Sequence, residues 1–310
     1  MRFQSVLLVA AIVVLAACGG GPADNQPAEV TVAVDKLIIY SVNYPLAYFA
    51  ERIGNDLVEV HFPAPADEDP AFWSPDADTI AAFQAADLIL LNGADYAKWV
   101  DRAALPSSKL VNTSGGFADR LLPLQGVVTH SHGPEGEHEH EGYAFTTWLD
   151  PELATLQAQT IAAAIALERP EQESEIQRRM EGLRGDLLDI DSRLQVAAEA
   201  FGKEPLLFSH PVYQYLINRY GLNGVEVHWE PDQTPDGHAW GHLEEVLQSH
   251  PAMWMVWESE PLETTVGALA ERGIGSIVFD PCGNQHEEGD YLTVMAANAV
   301  ALEELAGSIE

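Results

Sequence analysis

Cysteine and basic residues are both scarce in this chain of 310 residues. Only two cysteines occur, Cys18 and Cys282, and Cys18 lies in an N-terminal segment that has a separate role, so a disulfide within the folded domain is excluded. Lys and Arg number 15 against 48 Asp and Glu, which gives a net charge of −33. Such a chain repels phosphate backbones and anionic lipid, and we therefore expect no nucleic-acid partner.

Long apolar runs are also rare, and the one that stands out is N-terminal. Residues 6–17 follow Arg2 and form an apolar run that falls short of the ~20 residues of a membrane span but has the size of a signal-peptide core. The run ends in Leu15-Ala-Ala-Cys18, which resembles a bacterial lipobox, where cleavage before the cysteine leaves that residue lipidated. We predict a signal peptide at residues 1–17, a lipidated Cys18 and a polar tether over 18–35. The alternative is an ordinary secretory signal with a free Cys18 thiol.

This N-terminus also predicts the location of the mature protein. It would lie in the cell envelope or periplasm, anchored to a membrane by lipid without spanning it, because no later run approaches ~20 apolar residues.

The rest of the chain lacks internal repeats, a phosphate-binding glycine loop, a GxSxG elbow and an HExxH helix. Instead, β-rich apolar runs alternate with amphipathic stretches on both sides of a helical middle. The predicted strands cover residues 36–42, 57–62, 87–92, 205–209, 224–228, 253–257 and 275–279, and the predicted outer helices cover 44–53, 77–86, 211–220, 240–249, 261–272 and 290–306. This alternation predicts an α/β fold of two lobes with mainly parallel sheets.

The helical middle predicts two helices separated at Pro170. The first covers residues 151–168. Beyond it, apolar residues recur at spacings of four and three from Ile176 to Ala197, which predicts one helix over roughly 171–201, ~45 Å long. Such a helix could join an N-terminal lobe (36–168) to a C-terminal lobe (204–310) as a linker over 169–203. A helical hairpin packed on one lobe is the alternative.

Candidate ligands follow from the rule that open α/β sheets bind at the carboxyl ends of their strands. The polar residues at predicted strand ends are Asp67, Glu68, Asp69, His210, Glu230, Glu258, Glu260 and Asp280. An imidazole and several carboxylates that converge on one crevice suit a divalent metal. Helix capping is the alternative for any single one of them.

Histidine is concentrated in one stretch, residues 129–141, which we predict to be a loop of the N-terminal lobe. Four of the eleven histidines, His130, His132, His138 and His140, fall within residues 129–141, among glycines and glutamates. Short His-rich tracts of this kind are typical of metal capture, although a solvated loop without that role is the alternative. His238 and His242 are spaced to share one helix face, but His238 lies at a predicted helix start and a surface or capping role is favoured.

Several segments resemble the zinc/manganese-type solute-binding lipoproteins of bacterial ABC importers. The shared segments are Tyr44-Pro-Leu-Ala-Tyr-Phe-Ala-Glu-Arg-Ile-Gly54, Ala86-Asp-Leu-Ile-Leu-Leu-Asn-Gly93, Trp148-Leu-Asp-Pro151, Ser209-His-Pro-Val-Tyr-Gln-Tyr215, Arg219-Tyr-Gly-Leu222 and Phe279-Asp-Pro-Cys-Gly283. The resemblance covers essentially the whole mature sequence. It implies two lobes bridged by a rigid helix, a Zn²⁺ or Mn²⁺ ion between them, and delivery to a membrane permease.

Two positions depart from that family. Ala71 follows Asp69-Pro70 where the family usually has His, and Thr146 occupies a second usual His position. His210 and Asp280 remain, but zinc usually takes four ligands, so these two alone would bind it weakly. Three possibilities stay open: His130, His132, His138 or His140 completes the site; the second lobe does so with Glu230, Glu258 or Cys282; or the cleft has lost metal and Phe72, Trp73 and Trp148 line a pocket for another solute.

These observations lead to one functional prediction. The chain is expected to be a monomeric receptor, and not an enzyme, that binds zinc or another divalent cation and delivers it to an ABC permease. The alternatives are a diverged receptor for an organic solute, a lipoprotein that buffers metal without feeding a transporter, and a hydrolase that uses His210, Asp280 and an activated water.

The lipid anchor can be tested directly. Cys18→Ser should release the protein from membranes or stop signal processing, because the substituted side chain cannot carry the thioether-linked lipid; cell fractionation measures this. Wild-type protein that is processed, wholly soluble and unmodified at Cys18 by mass spectrometry would contradict the prediction.

Overall fold

The computed structural model describes residues 35–124, 128–131, 137–140, 142–286 and 288–307, with only the backbone for 128–131 and 137–140. The predicted signal peptide, Cys18, the tether up to residue 34 and His132 lie outside the described residues. Among the described helices, none combines the length and the apolar composition that crossing a membrane requires.

The first lobe is built on a sheet of four parallel strands in the order β2-β1-β3-β4. The elements are β1 (Leu37–Ser41), α1 (Tyr44–Gly54), β2 (Val58–His61), α2 (Ala77–Ala85), β3 (Leu88–Leu91), β4 (Leu110–Asn112) and α3 (Pro151–Glu168). Side-chain caps begin the helices, since Asn43, Asp76 and Asp150 accept backbone N–H groups of the first turns of α1, α2 and α3. Strand β4 was not predicted from the sequence.

The histidine-rich tract is a two-stranded antiparallel ribbon where the sequence predicted a loop. Strands β5 (Val128–Ser131) and β6 (Glu137–His140) pair with His130 opposite His138. At the base of the ribbon, Leu124 N donates to Gly142 O at 3.0 Å. The sequence between the strands contains Gly133, Pro134 and Gly136, residue types that favour reversal of the chain.

One long helix connects the lobes. Helix α4 (Glu173–Phe201) follows a single 3-10 turn, Pro170–Gln172, and therefore begins two residues later than predicted. Its buried face contains the whole predicted apolar series, Ile176, Met180, Leu183, Leu187, Ile190, Leu194 and Ala197, and also Ala198 and Phe201. Because α4 contacts α1 and α3, and also the last helix of the second lobe, it is not a hairpin on one lobe.

The second lobe repeats the architecture of the first. Its four parallel strands have the order β10-β9-β7-β8. The elements are β7 (Pro205–Phe208), α5 (Gln214–Tyr220), β8 (Asn223–Glu226), α6 (Gly237–Ser249), β9 (Trp254–Trp257), α7 (Glu263–Ala270), β10 (Gly275–Val278) and α8 (Tyr291–Gly307). The predicted fold class, two α/β lobes with parallel sheets and a long linker helix, is confirmed.

Buried hydrogen bonds also join the lobes directly. Trp148 Nε1 donates to Pro281 O at 2.7 Å, and Tyr291 OH donates to Trp148 O at 2.9 Å. Tyr215 OH, in the second lobe, donates to Ala144 O at 3.0 Å. Trp148, Tyr215 and Tyr291 are each about 1% exposed, so these bonds lie in a region without competing water. They hold the facing edges of the two sheets at a fixed separation.

An ion-pair network also stabilises the junction between the two lobes. Arg219 on α5 donates from Nη2 to Asp191 of α4 at 2.7 Å and from Nη1 to Glu152 of α3. Arg120 donates to the other oxygen of Glu152 at 2.9 Å. The hydrogen bonds to Asp191 raise the pKa of Arg219 above its usual range. One guanidinium therefore links the second lobe, the linker helix and the first lobe.

We predict that Arg219→Leu lowers the free energy of unfolding by about 2–3 kcal/mol. This value is below that of a fully buried pair because the Arg219 side chain is 25% exposed. Denaturant titration measures the loss. The matched control is Arg184→Leu, which breaks a single pair with Glu181 whose side chains are 44% and 46% exposed and should cost less than about 1 kcal/mol. Equal effects of the two substitutions would show that the network does not stabilise the junction.

Candidate metal centre

Four polar side chains are presented by the second sheet, one after each of its strands. His210 follows β7, Glu230 follows β8, Glu258 follows β9 and Asp280 follows β10. Because the strands are parallel, their carboxyl ends share one edge of the sheet. All four residues line a single open cleft of about 480 Å³ between the lobes.

Three of these side chains form a compact group of metal-binding type. His210, Glu230 and Glu258 each offer a ligand atom, and these atoms all lie within 4.8 Å of one another. His210 Nδ1 is 3.6 Å from Glu230 Oε1, and His210 is only 6% exposed. One imidazole and two carboxylates suit a borderline divalent cation and leave coordination positions open toward the cleft.

The backbone around His210 explains why this group is well positioned. Ser209 N donates to Val256 O of β9 at 2.9 Å, and Trp229 N donates to Ser209 O at 2.6 Å. The residue before His210 is therefore held by the neighbouring strand β9 and by the segment that carries Glu230. These hydrogen bonds fix the spacing between the three ligand-bearing segments.

The carboxylates of the site place several negative charges close together in the cleft. Burial, and after it the nearby carboxylates of Glu230, Asp69, Asp280 and Asp232, together raise the pKa of Glu258 from 4.5 to about 8. Carboxylates forced together in a partly buried cleft favour protonation of one member. A divalent cation would favour the ionised form instead, and the site is arranged to gain from binding one.

Asp280 lies in the same cleft but has a different set of partners. Its Oδ1 accepts from Cys282 N at 2.6 Å, while its Oδ2 lies 3.2 Å from Nε2 of His286. Its backbone N donates to Asn298 Oδ1 of α8 at 2.9 Å. Burial raises the pKa of Asp280, and the hydrogen bond from Cys282 N opposes that rise. Sequence reasoning did not select His286, because it follows no strand directly.

Cys282 is placed less favourably for metal. Its side chain is 1% exposed, and burial raises the pKa of its thiol far above the usual range. A metal ligand must be the thiolate, which this environment disfavours. Of the three second-lobe residues proposed to complete the site, Glu230 and Glu258 group with His210, and Cys282 does not group with them.

The first lobe contributes carboxylates to the cleft, where the resemblance described above implies imidazoles. Asp67, Glu68, Asp69 and Thr146 line the cleft. Asp69 Oδ1 accepts from Ala71 N at 2.8 Å, and Thr146 Oγ1 donates to Val212 O at 2.5 Å. Thr146 therefore serves as a contact between the lobes. Phe72 lines a small neighbouring pocket with Phe145 and His210, while Trp148 is buried.

The remaining candidate histidines lie elsewhere or are described only in part. The backbones of His130, His138 and His140 belong to the ribbon β5–β6, and their side chains, like the whole of His132, are outside the described residues, so their role in metal binding stays a prediction. His238 and His242 are exposed on α6, where Asp236 caps the helix by accepting from His238 N at 2.9 Å. Glu260 lines a separate groove beside β10.

Two α/β lobes that face each other across a cleft of ligand side chains, bridged by a long helix, define a solute-binding protein. A family model described as "Zinc-uptake complex component A periplasmic" (ZnuA) matches residues 39–305. The chain belongs to this family.

Individual relatives agree with that assignment. The chain is 27% identical to the high-affinity zinc uptake system protein ZnuA of Bacillus subtilis over 96% of this chain and 95% of that protein. It is 24% identical to the manganese ABC transporter substrate-binding lipoprotein scaA of Streptococcus gordonii over 74% of each. The crystal structure of the metal-dependent lipoprotein YcdH from Bacillus subtilis has the same fold, with a TM-score of 0.74 at 24% identity over 87% of this chain and 99% of that one.

The burial of Glu258, together with the carboxylates around it, predicts that the metal-free protein becomes less stable as pH rises. Since the pKa of Glu258 rises from 4.5 to about 8 on folding, the folded state prefers the protonated form and stability is lost as pH rises through that interval. The side chain introduced by Glu258→Gln is neutral at every pH, so this variant does not lose stability over that interval. One pKa unit corresponds to about 1.4 kcal/mol, so we expect the variant to gain at least that much over wild type at pH 9 relative to pH 5.

Thermal and chemical unfolding at the two pH values, with chelator present, measure this gain. The exposed Glu245 of α6 provides the matched control, because Glu245→Gln removes a charge that water already solvates. A pH-independent effect of Glu258→Gln would contradict the electrostatic account.

Proposed function

We propose that the protein is an extracytoplasmic receptor that binds Zn²⁺ in the interlobe cleft and delivers it to an ABC permease. The grouping of His210, Glu230 and Glu258 at three adjacent strand ends is the observation that carries this proposal. The names of the relatives support it, since they include a zinc uptake system protein and a zinc-binding lipoprotein from Streptococcus pneumoniae, of which this chain matches 56% of the length.

Zinc is favoured over manganese by the donor set. At a given site of nitrogen and oxygen ligands, the affinity for divalent first-row metals is lowest for Mn²⁺ and rises along the series. Such a site therefore binds Zn²⁺ more tightly than Mn²⁺. His210 provides the imidazole that zinc accepts readily, and Glu230 and Glu258 provide negative charge. Mn²⁺ would be a second, more weakly bound cargo, because carboxylates suit it as well.

Metal binding would use the negative charge that is concentrated in the cleft. Glu258 would lose its proton as the cation enters, and His210 would coordinate as neutral imidazole. Asp280 and the first-lobe carboxylates Asp67, Glu68 and Asp69 would add attraction at short range. The net charge of −33 would attract cations over a longer range at low ionic strength.

The same proposal includes the arrangement of the whole chain. A signal peptide over 1–17 and a lipid on Cys18 would hold a monomeric receptor beside its permease. Residues 36–168 and 204–310 would act as the two lobes and 169–203 as the linker. Because α4, Trp148 and Arg219 tie the lobes together, we infer that release at the permease depends on small local shifts at the cleft and not on a wide hinge opening.

His210→Ala and Glu230→Gln should each weaken Zn²⁺ binding by more than about tenfold, because each removes a ligand from a site with few of them. Competition with a chromophoric chelator at pH 7.5 measures the affinity. His238→Ala, at an exposed position of α6, is the matched histidine control and should bind like wild type. Wild-type affinity in both cleft variants would place the site elsewhere.

A further inference from the structure

We propose that His286 is a further ligand of the cleft metal and supplies the imidazole that Ala71 and Thr146 do not. The inference rests on the proposed function, because it adds a residue to the same site. It assigns a role to a histidine that neither the strand-end rule nor the family pattern selects.

The first observation is the contact between His286 and Asp280. His286 Nε2 lies 3.2 Å from Asp280 Oδ2, and both side chains line the interlobe cleft. The His286 side chain is 33% exposed, so it faces the open space of the cleft as well as its aspartate partner. Among the histidines whose side chains the structure describes, His210 and His286 are the two that line this cleft.

The second observation is that Asp280 is held so that one oxygen serves His286. Cys282 N occupies Oδ1 at 2.6 Å, and Asn298 of α8 fixes the Asp280 backbone from both sides, as acceptor from N at 2.9 Å and donor to O at 2.7 Å. The carboxylate therefore cannot rotate freely, and Oδ2 is directed at the imidazole. Asp280 and His286 line the same cleft as His210, Glu230 and Glu258.

The third observation is that the loop before His286 is hydrogen-bonded to the first lobe. Asn284 Nδ2 donates to Pro65 O at 2.7 Å and to Glu68 O at 2.8 Å, and Gly283 O accepts from Tyr44 N at 3.2 Å. His286 is thus carried by the second lobe but held against the acidic first-lobe loop of residues 65–69. That is the side of the cleft where the family's two imidazoles are replaced.

These contacts match how proteins prepare a histidine for metal. A ligating histidine usually donates one ring N–H to a carboxylate, which fixes the tautomer and leaves the other nitrogen with its lone pair. With Nε2–H donating to Asp280 Oδ2, Nδ1 of His286 is the nitrogen that can coordinate. His286 lies outside the group of His210, Glu230 and Glu258, whose ligand atoms are within 4.8 Å of one another, so we infer that its side chain shifts toward them when zinc binds. It would then give zinc four protein ligands, the number typical of tight sites.

X-ray absorption spectroscopy at the zinc edge tests the proposal, because imidazole rings give a characteristic multiple-scattering signal that reports their number. The samples are the zinc-loaded full chain, His286→Ala, His238→Ala and a deletion of residues 129–141. We expect two imidazoles in wild type, in His238→Ala and in the deletion, and one in His286→Ala. The affinity of His286→Ala should fall by more than about tenfold in chelator competition.

The other outcomes overturn the proposal. One imidazole in wild type, or two in His286→Ala, would show that His286 is not a ligand, and a loss of one imidazole in the deletion would assign it to the histidine-rich ribbon. A failure of the proposed function looks different, because wild type would then hold no stoichiometric zinc. Circular dichroism of His286→Ala, a loop substitution at a partly exposed position, checks that the fold is retained.

Discussion

The packing of helix α4 against both lobes is the constraint on which the binding cleft depends. Helix α4 contacts α1 and α3 of the first lobe and α8 of the second, and its apolar residues are buried, so a rotation of either lobe would expose part of them to water. Trp148 and Tyr291 extend the same junction to the rim of the cleft through buried hydrogen bonds. The strand ends of both sheets are consequently held at a fixed distance from each other. These strand ends determine where the ligand side chains lie.

A rigid frame of this kind allows the protein to hold like charges close together. Glu230, Glu258 and Asp280 would separate if the backbone were free to move, but the hydrogen bonds of Ser209, Trp229 and Asn298 restrain the segments that carry them. Burial and the neighbouring carboxylates raise the pKa of Glu258. This shift reflects the unfavourable free energy of ionising that side chain close to other negative charges in the metal-free protein. A divalent cation relieves that cost, so affinity for metal and instability without it have one physical origin.

The sequence was informative where the pattern of residues is local. The alternation of strands and helices predicted the fold class, the four-and-three spacing predicted α4, and the strand-end rule selected His210, Glu230, Glu258 and Asp280, which line one cleft. Strand β4 has only three residues, two half-buried and one exposed, and carries too little periodicity to be recognised. The sequence did not identify His286 as a candidate ligand, because its position depends on contacts between residues more than 200 apart in the chain. The hydrogen bond of Asn284 with Pro65 is one such contact, and no local pattern encodes it.

Anomalous diffraction from crystals of the zinc-loaded protein, measured on both sides of the zinc edge, tests the central claim most directly. The account predicts one dominant anomalous peak in the interlobe cleft, at about 2.0–2.2 Å from a ring nitrogen of His210 and from carboxylate oxygens of Glu230 and Glu258. A dominant peak at the histidine-rich ribbon or on α6, with no zinc bound by His210, would contradict it.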